Sequence, residues 1–76
     1  MNNNRRKSIE ELQNRLQDLL DELEIIKDEE NEAFENMPES LQESERGQIA
    51  QEATSNLDSS YNSLQEAMEY LEEAKA

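Results

Sequence analysis

Residues 9–26 read IEELQNRLQDLLDELEII, and the spacing of their apolar side chains decides the fold. Ile9, Leu12, Leu16, Leu19, Leu23 and Ile26 follow one another at steps of three and four, the period of one helix face. In heptad notation Ile9, Leu16 and Leu23 take the a positions, and Leu12, Leu19 and Ile26 take the d positions. The register runs on through Glu30 (a), Ala33 (d) and Met37 (a), with Glu30 its one polar break. Leu20 and Phe34, both at e, widen the stripe beyond a two-stranded seam. Ser8 and Glu11 have the spacing of a capping box, and Glu11 with Arg15 has that of an i,i+4 ion pair. Pro38 disfavours helix at the residue before it. The pattern predicts a helix over 8–36, preceded by a flexible basic N-terminus, residues 1–7.

Downstream, Leu57, Leu64 and Leu71 repeat the a spacing, with the small residues Ala53, Ser60, Ala67 and Ala74 at d. Ile49, Tyr61 and Met68 flank that seam. Ser44 suits an N-cap, and Glu45 places a carboxylate in the first turn, where the helix dipole favours it. A second helix over 45–75 follows, although Thr54-Ser55-Asn56 and Ser59-Ser60 are weak helix formers.

The connection between Met37 and Ser44 is short, which makes the helices antiparallel neighbours. Folding near Leu41 sets Ile26 level with Leu57, Leu19 with Leu64 and Leu12 with Leu71, while Leu16 meets Ala67 and Ile9 meets Ala74. The fold class is all-α: one domain, residues 8–76, built as an antiparallel two-helix coiled-coil hairpin. Composition alone points the other way. Leu, Ile and Phe supply 14 of 76 residues and Val none, which at this net charge lies on the disordered side of the usual boundary. Periodicity overrides composition here, but a lone hairpin buries little. Leu20, Ile25, Phe34, Ile49, Tyr61 and Met68 are expected to stay partly exposed, so dimerisation into a four-helix bundle is the simplest completion.

Twenty acids against seven Lys and Arg give −13 at pH 7. There is no Cys and no His, which excludes disulfides, zinc and haem ligation, and imidazole or thiol catalysis. One Gly excludes a glycine-rich phosphate cradle, and the acidity argues against direct nucleic-acid binding. No apolar run is long enough to span a membrane, and no leader pattern marks secretion, so a cytoplasmic, non-enzymatic protein without cofactor or metal is expected. Arg5, Arg6 and Lys7 fall at the open end beside Glu69, Glu72 and Glu73. Between Asp21 and Arg46, 11 acids face only Lys27 and Arg46, and Asp21, Glu24, Asp28, Glu32 and Glu35 make one outward stripe. Beside it, Phe34, Met37 and Leu41 either cap the bundle or form an apolar knob for a partner.

The run Asp28 to Gly47, DEENEAFENMPESLQESERG, resembles short acidic proteins of phages and mobile elements of Gram-positive bacteria. These are a group without an assigned activity that carry a similar Asn-Met/Leu-Pro-Glu-Ser-Leu-Gln turn and Ser-Glu-Arg-Gly between two heptad helices. The resemblance implies action inside a bacterial host cell and assigns no residue a role. The leading expectation is a self-associating hairpin that binds and inhibits a host protein with a basic surface, such as an antiviral-defence or nucleic-acid-acting protein, its carboxylate row acting as a nucleic-acid mimic. Its contacts would be Asp21, Glu24, Asp28, Glu32 and Glu35 for steering, with Phe34, Met37 and Leu41 for anchoring. The core and oligomer residues would be Leu12, Leu16, Leu19, Leu20, Leu23, Ile26, Leu57, Tyr61, Leu64, Met68 and Leu71. The alternative is a self-assembling coiled-coil adaptor without inhibitory activity. A third possibility is an oligomer that gathers Arg5, Arg6, Lys7 or Arg46 around a nucleotide signal.

Overall fold

The structure, a computed structural model, describes residues 1–76 and is all-helical: α1 (Asn3–Glu35), α2 (Glu39–Gln42) and α3 (Glu45–Ala74). The long helices α1 and α3 pack side by side in a rod of 58 × 15 × 11 Å.

α1 begins five residues before the expected Ser8 cap. Asn2 has extended backbone angles, and its side-chain oxygen accepts from the Arg5 amide at 2.8 Å, so the first turn is capped there. The residues read as a flexible lead-in are therefore mostly helix. Ser8 has no capping role, and its hydroxyl donates back to the Asn4 carbonyl at 3.1 Å. Glu11 and Arg15 form no ion pair; the pairs present are Lys27–Asp58, Lys75–Glu10 and Lys75–Glu72. Ser44 occupies the N-cap position of α3 with an extended backbone, but its hydroxyl donates to the Leu41 carbonyl instead of accepting from the helix.

The connection contains a helical turn that the sequence pattern does not announce. Pro38 starts α2, and the amides of Leu41 and Gln42 both donate to its carbonyl. Gln42 then turns back, its Nε2 donating to the carbonyls of Phe34 (3.0 Å) and Met37 (3.1 Å). The Phe34 carbonyl, in the last turn of α1, also accepts from the Met37 amide, so the Gln42 side chain ties the end of α1 and the residues after it to α2.

The vertical register of the hairpin is as expected. Gln13 reaches Glu72 and Lys27 reaches Asp58, which keeps Leu12 near the level of Leu71 and Ile26 near that of Leu57. The rotation of both helices is not. Leu20, expected on the flank, is the one buried large apolar side chain, 3% exposed. Around it the half-buried residues of α1 are Arg6, Ile9, Gln13, Leu16, Leu23, Lys27, Glu30, Asn31 and Phe34; those of α3 include Ala53, Leu57, Tyr61, Leu64, Met68 and Leu71. Apart from Asn31 at b and Ala53 at d, these are a and e positions. Leu12, Leu19 and Ile26 at d are 40%, 52% and 50% exposed, and Ala67 and Ala74 also lie outside the seam.

The reason lies in what each row has to bury. On α3 the d row is Ala53, Ser60, Ala67 and Ala74, whereas the e row holds Tyr61 and Met68. Turning the seam from a/d to a/e exchanges small side chains for two large ones on α3, while on α1 it gives up Leu12, Leu19 and Ile26 for Leu20, Phe34 and the aliphatic stems of Gln13 and Lys27; burial is worth roughly 25 cal/mol per Å² of apolar area. It also brings the Lys27 ammonium over the Tyr61 ring, 4.5 Å from the centroid, and within 2.9 Å of Asp58.

Candidate functional site

An a/e seam gives the hairpin two unlike flanks. On each helix the b row lies just beyond e, while d and then g lie on the other side of a. Because the helices are antiparallel, the e/b rows of both face one side of the rod and the d/g rows of both face the opposite side. The polar bridges obey this division: Gln13–Glu72 (3.0 Å), Lys27–Asp58 (2.9 Å) and Lys75–Glu10 (4.0 Å) all join an e residue to a b residue. None crosses the d/g side.

On the latched flank the charges are tuned by their neighbours. Hydrogen bonding to Asp58 holds the Lys27 ammonium above its usual range. Donation from the Gln13 amide, followed by Lys75, holds Glu72 below the usual carboxylate range. Glu72 therefore stabilises the folded chain above the ordinary Glu range, and that contribution is lost as pH falls through its depressed pKa. In an NMR pH titration, Glu72 should protonate at lower pH than an ordinary glutamate, and Gln13→Ala should move its midpoint upward. At the open end Arg6 Nε donates to the Lys75 carbonyl at 2.9 Å and so satisfies the C-terminal turn of α3. Arg5, Arg6 and Lys7 make no ion pair with Glu69, Glu72 or Glu73.

The d/g side is different in kind. Along α3, past Arg46 in the first turn, it runs Ile49, Ala53, Asn56, Ser60, Ser63, Ala67, Tyr70 and Ala74 without a charge. Along α1, Leu12, Leu19, Ile26 and Ala33 form its inner row, edged by Arg15, Glu22 and Glu29. At the closed end the face sinks into a hollow of about 390 Å³ lined by Glu30, Ala33, Phe34, Asn36, Met37, Pro38, Leu41, Arg46 and Ala50.

The structure thus brings Phe34, Met37 and Leu41 together, as walls of a depression rather than as a knob. Glu30 joins them, half-buried, on the rim of the same hollow. Asp21, Glu24, Asp28, Glu32 and Glu35 are all exposed: Asp21, Asp28, Glu32 and Glu35, at c and f, lie on the outer face of α1 away from the seam, and Glu24, at b, lies at the edge of the latched flank near Lys27. The acidic stripe and the apolar hollow consequently address different sides of the molecule. Sequence reading missed Gln42 and the uncharged strip of α3; the strip was visible as the confinement of every acid of α3 to b, c or f.

No cluster of three or more acidic side chains is placed to hold a metal ion. No helix is long and apolar enough to cross a membrane. Neither a family model, nor a curated protein, nor a solved structure matches the chain. Fold and surface define its class as an acidic helical hairpin with one face on which α3 carries no acid.

Proposed function

We propose that this chain is a non-enzymatic binding protein of phage or mobile-element origin. It inhibits a host protein with a basic, nucleic-acid-binding surface, and it works inside the bacterial cell as a pair of hairpins. The observation that carries this reading is the segregation of charge. Acids crowd the outer rows of both helices, while the rows facing the d/g side of α3 carry none. Two chains of −13 laid along one 58 Å rod present roughly one charge per 2.2 Å of length, against about 1.7 Å for duplex DNA. Such a surface steers encounter with a cationic groove and competes for it. A stripe from Asp21 to Glu35, spaced by helical steps of about 5 Å, supplies one continuous ridge of it.

Reversing Asp28, Glu32 and Glu35 together to Lys should abolish capture of the partner from a nuclease-treated host lysate, with helicity retained by circular dichroism. The same capture should weaken steeply as salt rises, since the Debye length shrinks to about 3 Å at 1 M. Equal capture of the same proteins by wild type and the triple variant would contradict the reading. The acid-free strip of α3 on the d/g face favours a second reading, a self-assembling adaptor in which the acids only keep the assembly soluble. That reading expects capture, if any, to be indifferent to the charge reversal and sensitive to changes on the d/g face.

A further inference from the structure

We propose that the d/g face is closed by a second copy of this chain, laid antiparallel so that the closed end of each hairpin meets the open end of the other. This rests on the self-association in the reading above and names its surface and direction.

The amount of surface left open suits such a partner. The chain exposes 5805 Å², whereas a compact monomer of 8.9 kDa exposes about 4,800 Å². Its radius of gyration is 17.3 Å against about 11 Å for a compact chain of this length. The excess surface, roughly 1,000 Å², is close to the ~800 Å² that each partner gives up in a standard interface. Leu12, Leu19 and Ile26 are the large apolar side chains left half-open in one row on that face.

Charge selects the direction. With closed ends together, the two stretches between Asp21 and Arg46, each rich in acids, would lie side by side. Reversed, a two-fold axis passes near Leu19. Leu19 meets its own copy, Leu12 meets Ile26 of the second copy, and Arg5 arrives beside Ala33 and Glu30. The basic N-terminus of each chain then lies along the acidic end of the other, and Met1, 50% exposed, is carried to the hollow at Met37. A half-buried Glu30 on the rim of an apolar hollow gains a cation.

The test is sedimentation equilibrium on the full chain, with three lysine variants. Wild type is expected to be a dimer. Leu19→Lys and Ala67→Lys, one from each helix of the face and both exposed in the single hairpin, are expected to weaken the dimer by about a hundredfold or more while remaining helical. Ile25→Lys, equally exposed but on the outer face, should leave it intact. Because the chain has no cysteine, Leu19→Cys alone should form a disulfide-linked dimer under mild oxidation. A monomeric wild type would overturn the self-association itself. A dimer indifferent to Leu19→Lys and Ala67→Lys would leave self-association standing and overturn this face. Failure of Leu19→Cys to link, with Leu19→Cys and Ala67→Cys together linking between chains, would overturn the antiparallel direction.

Discussion

Replacing Gly47 by alanine should destabilise this protein strongly, although a Gly to Ala change inside a helix ordinarily stabilises it by about 0.5–1 kcal/mol. The reason is proximity. Gly47 lies in the first turn of α3 against α2, and a Cβ there would overlap the backbone carbonyl of Gln42 and stand 2.6 Å from its Cα. Its φ is not positive, so the requirement is space and not a special conformation. The obstacle is backbone, which cannot rotate aside as a flexible side chain can. Relief would have to move α2, and with it the Gln42 side-chain amide that donates to the carbonyls of Phe34 and Met37. Overpacking of this kind costs about 1–3 kcal/mol or more, and each kcal/mol is worth roughly 4–8 °C in a domain of this size. Thermal unfolding followed by circular dichroism should show a Tm for Gly47→Ala lower by about 10 °C. A Tm equal to or above wild type would mean that α2 does not lie against Gly47.

Leu20 is the other position where a single change should be felt throughout. It is the only large apolar side chain removed from solvent within the hairpin, at the centre of a seam otherwise half-open. Leu→Ala at buried sites costs about 2–5 kcal/mol. A two-helix chain has little stability to lose, because a single helix partner buries too little to offset chain entropy by a wide margin. Leu20→Ala should therefore leave a large unfolded fraction at room temperature, and Leu20→Asp should abolish the cooperative transition. Ile25→Ala, at a residue 58% exposed, should change stability by less than about 0.5 kcal/mol. Comparable losses at the two sites would place the seam elsewhere.

These two residues also mark where the sequence was legible. Helix existence, antiparallel order and vertical register were all written in the three-four spacing of the leucines and in Pro38, and the bridges Gln13–Glu72 and Lys27–Asp58 agree with them. The rotation was not, because a heptad assigned from α1 alone makes Leu12, Leu19 and Ile26 look like the inner row. Only comparison of the rows on α3, Ala and Ser at d against Tyr61 and Met68 at e, reveals which side has more to bury. The early start of α1 was hidden for a local reason: Asn2, Asn3 and Asn4 offer several equivalent caps, and Ser8 with Glu11 mimics another. The tight turn was hidden because Gln42 and Gly47 act through a backbone approach that no periodicity encodes. For the candidate surfaces, the acidic ridge was legible from helical steps. Its separation from the hollow at Phe34, Met37 and Leu41 follows from the rotation and was hidden with it.

The a/e seam underlies the open d/g face, and solution NMR tests it directly at Lys27 and Tyr61. With the ammonium 4.5 Å from the ring centroid and bound to Asp58, the terminal methylene protons of Lys27 should be shifted upfield by the ring current. They should also give nuclear Overhauser effects to the Tyr61 ring within one chain. Unshifted, solvent-like Lys27 resonances, together with intrachain effects between the Leu19 methyls and Ser60 or Ala67, would establish an a/d seam and remove the basis for the open d/g face.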